Sequence, residues 1–423
     1  MELAVNQKTK DAQDESRELK ARLKRSQRQQ KFKALLLVAP LFLFTLVVFV
    51  TPIALMLFKS IESPEVQTAF PKTGQALMEW QDETVQPSVD IYALMVQEIR
   101  HSWQEKTLSQ AAQRINYESP GYRSLLTRTA RRLKRAEAPK TAAAAKALLI
   151  KTNKRWADPV TWQVLKSTVP EYTGYYLLSS LDLKQQADGG IVVAPENEAI
   201  YINIFLRTLW IAFVVTVICL FMGFPLAHLL ANAPPKYANL LMIGVLLPFW
   251  SSLLVRTSAW VVLLQKNGLV NGLLEGVGVI DEPLVLLFNR PGVYIGLVHI
   301  LLPFMVLSLY SVMKSIPSQY MRAALSLGAH PVVAFIRIYL PQTLPGVAAG
   351  FLLCFIMAIG YYITPALIGS PQDQMISYFI AYYTNQVINW GMASALGAIL
   401  LLASTLLFVL YARLSSRNQV KMG

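Results

Sequence analysis

Six runs of roughly twenty or more mainly apolar residues punctuate this chain, at about 34–58, 204–230, 240–264, 292–313, 346–367 and 393–411. A helix that crosses a bilayer needs about 20 such residues. None of the six holds an aspartate or glutamate, so no proton relay within hydrocarbon is indicated. Pro303 and Pro365 interrupt the fourth and fifth runs, which is tolerable where neighbouring helices satisfy the freed carbonyls. Between the first and second runs the pattern changes. Ile91, Leu94, Met95, Ile99, Trp103 and Leu108 fall close to helical spacing, with Ser88 placed to cap them. Further helical stretches are expected at 122–138, 141–152 and around 158–167, with turns at Ser119-Pro120-Gly121 and Asp188-Gly189-Gly190. The expectation is an all-α polytopic membrane protein of six transmembrane helices, with a mainly helical extracytoplasmic insertion at 59–199.

Composition agrees with this pattern. The 423 residues are 54% hydrophobic and only 15% charged, against about 25% charged in a soluble domain. Disorder and a disulfide scaffold are excluded. The two cysteines, Cys219 and Cys354, both sit inside apolar runs and read as small buried side chains. The net charge of +14 raises nucleic acid as a partner, but no nucleic-acid fold or aromatic interleaving accompanies it. Basic residues gather instead in the tail 1–33, in the loop after the fourth run (Lys314, Arg322, Arg337) and after the sixth (Arg413, Arg417, Lys421). The alternate loops are poorer in them. By the positive-inside rule both termini are cytoplasmic, the tails being 1–33 and 413–423. The first run lacks a nearby small-residue cleavage site and reads as an uncleaved span. Arg128, Arg131, Arg132, Lys134 and Arg135 cluster in the insertion. A solvated helix face is the first reading of that cluster, and lipid headgroups or an acidic partner are the alternatives.

The chemistry-bearing residues are few. His101, His228, His299 and His330 lie in four different regions, so no metal site follows, and no nucleophile constellation is visible; catalytic, cofactor-binding and metal-binding residues are all expected to be none. Arg256 lies in the third run between Trp250 and Trp260. It reads as an interfacial anchor or as a residue of a solute path. Tyr361 and Tyr362, between Gly360 and Pro365, mark a place where a helix can open, and they are candidates for the same path. Gly346 and Gly350 fit a close helix contact.

The loop at 315–345 carries the most specific signal. Pro317-Ser318 starts a short helix in which Tyr320, Ala323, Ala324 and Leu327 form one apolar face with small residues at its centre. Gly328 supplies a turn, and Pro341 and Pro345 mark re-entry into the membrane. Such an exposed amphipathic element is built to dock in a groove. Arg322-Ala323-Ala324, then Gly328, then Ile338-Tyr339-Leu340-Pro341 resembles the signature loop of ABC importer permeases, the binding-protein-dependent inner-membrane components. Every spacing matches, although Arg322 stands where that family has glutamate. The stretches 223–231, 246–264, 360–371 and 389–398 are similar to the branch that carries polyamines (spermidine and putrescine) and opine-type solutes. The insertion has no counterpart in that resemblance.

The resemblance implies the type I importer permease fold and a permease core at 200–412. It implies a chain with no enzyme activity and no cofactor of its own, ATP being used by a separate ABC ATPase subunit. That agrees with the absence of a phosphate-binding loop from this sequence. Tyr320, Arg322, Ala323, Ala324, Leu327, Gly328, Ile338, Leu340 and Pro341 would couple to that subunit. A second permease chain, different or identical, would complete the path, and a periplasmic solute-binding protein would deliver a polyamine or opine-like solute across the bacterial inner membrane. The rival is an ion channel or another membrane transporter, but no arginine-repeat span or selectivity-filter sequence is present.

Overall fold

The computed structural model describes residue 27, residues 29–185 and residues 190–419, with backbone alone from 414. The basic tail before residue 27 and most of the Asp188-Gly189-Gly190 turn therefore lie outside the described residues, as do the side chains of Arg417 and Lys421. Five helices are long and apolar enough to cross a membrane: Gln29–Phe58, Tyr201–Asn232, Arg290–Ser315, Pro331–Gly360 and Trp390–Arg413. A sixth, bent pair, Pro235–Trp250 with Leu253–Leu263, turns through 98° at its break.

The chain divides at Phe58 into two compact units. The first contains the helix Gln29–Phe58, in which the turn Leu46–Val50 widens to a π-helix just ahead of Pro52. A proline ring displaces the carbonyl four residues earlier, and one extra residue in the turn accommodates it. The same device recurs in the second unit, where the π-turn Phe335–Tyr339 precedes Pro341.

Two of the expected spans differ from the sequence reading. The run at 240–264 is not one straight helix. Pro248 ends the helix Pro235–Leu246 in a 3-10 turn, Leu247–Trp250, and Ser251 and Ser252 are extended before Leu253–Leu263 begins. The helix that carries the fifth span starts earlier than the apolar run, at Pro331, and passes through Pro341 and Pro345 without ending. It ends at Gly360, and Ile363–Ile368 is a separate short helix. The last helix runs on to Gln419, past the apolar stretch Trp390–Arg413 of the sixth span.

The second, fourth and fifth spans form the centre of the bundle, around Ile211, Cys219, Leu301, Met305 and Cys354, all fully buried. Both cysteines are free. Gly346 and Gly350 let the fifth span approach the fourth. A Cβ at Gly346 would lie 2.9 Å from the Val312 Cβ, and one at Gly350 would lie 2.7 Å from the Met305 sulfur.

The insertion is helical, with helices Val89–Gln104, Leu108–Glu118, Tyr122–Arg135, Ala142–Thr152 and Pro159–Thr168 among its elements. Lys106, at φ 64°, separates the first two, which the spacing at 91–108 suggested were continuous. Thr141 and Asp158 cap their helices by side-chain acceptance, whereas Ser88 sits at its cap position without such a bond. The core closes on Trp156 and Trp162, whose indoles donate to the Thr129 hydroxyl and the Trp156 carbonyl at 3.0 and 3.1 Å. Glu98 crosses to the helix Pro71–Glu79 and accepts from the Lys72 and Thr73 amides at 2.8 and 3.0 Å, satisfying donors that a helix start leaves open. A two-stranded antiparallel hairpin, Leu183–Gln185 with Ile191–Val193, brackets the undescribed turn.

Among the described residues, polar and close-packed contacts seat the insertion on the bundle beside a hydrophobic cluster of Tyr176 with Ile204, Met392 and Leu396. Asp182 caps the second span, accepting from the Tyr201 and Ile202 amides at 2.9 and 2.8 Å. Gln113 donates to the Val387 carbonyl at 3.1 Å. The Tyr176 ring lies so close to Gly391 that an added Cβ would fall 2.3 Å from it.

Candidate functional site

The loop between the fourth and fifth spans is built as the sequence suggests at its first half. Gln319–Ser326 is a helix, and it ends where the Leu327 and Gly328 amides donate to the Ala323 and Leu325 carbonyls at 3.0 Å each. Gly328 has φ +85°, with nothing within 4 Å of an added Cβ. The turn therefore needs glycine for its backbone rather than for space. His330 then caps the next helix through Nδ1, which accepts from the Val332 amide at 3.3 Å, with Pro331 in the first position.

The four residues of the expected apolar face do not all point the same way. Ala324 is buried, against the start of the fifth span, while Tyr320, Ala323 and Leu327 are exposed. Leu327 is 89% exposed, an unusual position for a leucine at a turn unless something covers it. Arg322 is exposed and reaches back to the Ser318 hydroxyl at 3.2 Å. Ile338 and Leu340 are half-buried and Pro341 is exposed, in the π-turn and the helix that follow it. The loop thus presents a short helix with an apolar tip, on a base fixed to the bundle.

Within the bundle, the other candidates separate into two groups. Arg256, on the helix Leu253–Leu263, has Nε and Nη1 buried without a partner. It lies close enough to His299 and Tyr361 to act electrostatically on both. His299 belongs to the fourth span and stacks edge-on to Trp260 at 5.4 Å. Its Nδ1 is buried and unpartnered, as is the Thr364 hydroxyl on the short helix after Tyr361. Pro303 cannot donate to the His299 carbonyl, so one more polar group is released at that level. Trp250 stands apart at the bend, 78% exposed, and Tyr362 is 39% exposed beside the break in the fifth span. The sequence reading had Arg256 and Tyr361. It missed His299, and the signal available was a histidine inside an apolar run. Arg207 does not join this group, because its Nη2 donates to the Gln374 carbonyl at 2.6 Å.

A loop outside the spans closes this end of the bundle. Asp373 is almost wholly buried and accepts from Arg290 Nε at 2.8 Å and from the Ser370 hydroxyl at 2.6 Å. Burial alone would raise its pKa, but the bonds from Ser370 and Arg290 outweigh that and hold it below the usual carboxylate value.

The family model of the binding-protein-dependent transport system inner membrane component matches residues 190–420, which contain both the loop at 315–345 and the polar cluster. This chain belongs to that family. Two curated relatives place the permease further. The spermidine/putrescine transport system permease protein PotB of Escherichia coli (strain K12) is 35% identical over 218 residues, covering 52% of this chain and 79% of that one. The inner membrane ABC transporter permease protein YdcU of the same organism is 34% identical over 233 residues, covering 50% of this chain and 72% of the relative. Among solved structures, a chain from the crystal structure of bacterial alginate ABC transporter in complex with alginate pentasaccharide-bound periplasmic protein is 21% identical. It has a TM-score of 0.44 and covers 51% of the permease and 78% of that chain. The family match makes the permease a multi-pass inner-membrane protein, and it leaves the insertion before residue 190 outside the shared region.

Proposed function

We propose that this permease is half of the solute path of an ATP-binding-cassette importer, coupled to a separate ATPase subunit through the loop at 315–345. The observation that carries this reading is the exposed helix Gln319–Ser326 with Leu327 uncovered at its tip, fixed by the left-handed Gly328 turn and anchored through Ala324. A groove on the ATPase would cover Tyr320, Ala323 and Leu327. Movement of that subunit would then pass through Ala324 and the π-turn at Phe335–Tyr339 into the fifth span. Arg322 points to an acidic or carbonyl-rich site on the partner, the reverse of what a glutamate there would select. ATP is consumed by the partner, so the permease needs no cofactor. A second permease chain, more simply a different one, completes the path, a periplasmic binding protein delivers the solute, and both termini are cytoplasmic, with the insertion outside. The name of the PotB relative supports a polyamine as the solute, and an opine-like solute rests on the sequence resemblance alone.

Co-purification with the partner ATPase tests the reading. The wild-type permease is expected to retain the ATPase and change its hydrolysis rate, and Leu327→Asp is expected to abolish both while the permease still reaches the membrane. Equal retention by wild type and L327D would end the proposal. For the solute, uptake of labelled spermidine into proteoliposomes holding both permease chains, the ATPase and the binding protein is the direct measurement.

The polar cluster supports a second reading, that Arg256 and Tyr361, with Trp250 and Tyr362 nearer the surface, lie along the solute path. The two buried guanidinium N–H groups without partners favour it, because a purely structural arginine in a membrane pairs with carbonyls or acids. Here the solute would be the transient partner.

A further inference from the structure

The basic charge of this chain is not confined to the ends and loops that report topology. Between residues 123 and 155 the insertion holds eleven lysines and arginines and one acid, Glu137. Ten of the eleven are exposed, Lys146 being the exception. No ion pair among the described residues uses any of them. On the helix Tyr122–Arg135 the opposite face is committed to the core through Leu125, Leu126, Ala130 and Leu133, so the arginines cannot turn inward.

Part of this charge lines an open cleft of about 390 Å³, bordered by Asn116, Thr127, Arg123, Arg128 and Arg131. The cleft lies at the corner between the helices Leu108–Glu118 and Tyr122–Arg135. Asn116 shapes that corner by accepting from the Gly121 and Arg123 amides at 2.9 and 3.3 Å. Its neighbour Tyr117 belongs to a group of aromatics at the end of the bundle where the second and sixth spans begin. The Tyr201 hydroxyl meets that of Tyr383, Tyr175 donates to the Tyr117 carbonyl at 2.7 Å, and Gln113 joins the Tyr117 hydroxyl to the Val387 carbonyl. Trp390 opens the sixth span, 47% exposed. Tyrosines and tryptophans with polar tips at the ends of spans mark the level of lipid headgroups. Tyr117 follows Asn116 on the helix Leu108–Glu118, so the cleft opens beside this junction of insertion and bundle, near the end of the sixth span where Trp390 is exposed.

We infer that this cleft binds the phosphate of an anionic phospholipid headgroup through Arg123, Arg128 and Arg131. Guanidinium groups match phosphate oxygens in paired N–H donation, and three of them on successive turns fit one phosphate and its neighbours better than a diffuse cationic surface does. Asn116 and Thr127 add polar groups for the glycerol or hydroxyl part of such a headgroup. The lipid would hold the insertion against the membrane beside the start of the sixth span.

The test uses the full-length permease in nanodiscs of phosphatidylcholine with and without phosphatidylglycerol, with retained lipid counted by native mass spectrometry after transfer to detergent. Wild type is expected to keep phosphatidylglycerol in preference to phosphatidylcholine, and the preference is expected to fall with rising salt. The variant R123Q/R128Q/R131Q, all at exposed positions, is expected to lose roughly fivefold in preference per arginine removed at low salt. A control, K140Q/K151Q/K154Q, removes the same charge from the lobe outside the cleft and is expected to keep the preference. The inference is overturned if wild type shows no preference, or if the control loses as much as the cleft variant. It is also overturned if millimolar inorganic phosphate displaces the lipid, since the source would then be a free anion.

Discussion

Arg114 lies behind Tyr176, one of the residues that seat the insertion on the bundle, and its replacement gives a graded test. Its side chain is 2% exposed. Nη2 donates to Glu118 at 2.6 Å, Nε donates to the Ser63 hydroxyl, and the guanidinium carbon lies 5.1 Å from the ring centres of both Tyr175 and Tyr176. Tyr176 in turn packs on Gly391 at the start of the sixth span. Arg114→Met keeps the length of the side chain and removes the charge. It leaves Glu118, only 18% exposed, without its counter-ion, and it takes the cation from two rings. Breaking one side of a buried pair costs about 3–5 kcal/mol, and the ring contacts are each worth about 0.5–1 kcal/mol. Together these are about 4–7 kcal/mol, so at 1.4 kcal/mol per tenfold opening of this region should become more frequent by roughly a thousandfold or more. Thermolysin reads that opening, because it cuts beside large apolar residues and Leu125, Leu126 and Leu133 are buried. Where reclosing outpaces cleavage, the rate follows the open population. The double variant R114M/E118L removes both charges and should return the rate to within about tenfold of wild type, since paired removal of a buried ion pair is often neutral. If R114M cleaves less than threefold faster, or the double variant is as fast as the single, the pair does not hold the insertion in place.

Gly346→Leu should separate the fourth and fifth spans, costing about 1–3 kcal/mol by overpacking, seen as a lower thermal midpoint in detergent; an unchanged midpoint would mean that the contact with Val312 is not close. At Gly328 the order of ATPase stimulation should be Gly, then Asn, then Ala, because asparagine tolerates a positive φ better than alanine and no side chain there meets a clash. Equal stimulation by all three would show that the turn is not read by the partner. Arg256→Gln should reduce solute uptake while binding of the ATPase is unaltered, and loss of both together would assign Arg256 to assembly. Asp373 has a folded pKa below its unfolded value, so its contribution is present above about pH 4 and is lost as pH falls through the folded value. Wild type should therefore lose stability on acidification below about pH 4 more steeply than Asp373→Asn, and parallel acid profiles would remove the Arg290 pair from the account.

The spans were legible because hydrocarbon imposes one requirement, a run of apolar residues, that composition records directly. Their breaks were not, for a physical reason. The run around Pro248, Ser251 and Ser252 is as apolar as its neighbours, and hydropathy does not register which carbonyls a proline leaves open. In the fifth span the same blindness acted in reverse. Pro341 and Pro345 suggested a boundary, but the π-turn at Phe335–Tyr339 absorbs the first proline and the helix starts ten residues earlier, at Pro331. Proline marks where the hydrogen-bond ladder must adjust. Whether it bends, widens or ends there is decided by what packs alongside.

The loop at 315–345 and the polar cluster were unequally legible, because their information lies in different places. The loop is local: a helix start, small residues, a glycine that must be left-handed and two prolines all fall within 315–345. The cluster is assembled from Arg256, His299, Tyr361 and Thr364, on three segments more than a hundred residues apart from end to end. Taken singly, Arg256 reads as an interfacial anchor and His299 as an isolated histidine. The unpartnered atoms of Arg256, His299 and Thr364 become visible only in the folded chain, which brings their segments together. The bend at Pro248 contributes to that convergence. A straight third span would have carried Arg256 along its own axis, whereas the 98° turn delivers Leu253–Leu263 to the short helix Ile363–Ile368 and sets the guanidinium beside the break in the fifth span. The irregularity that the sequence reading missed is therefore the one that brings this polar cluster together.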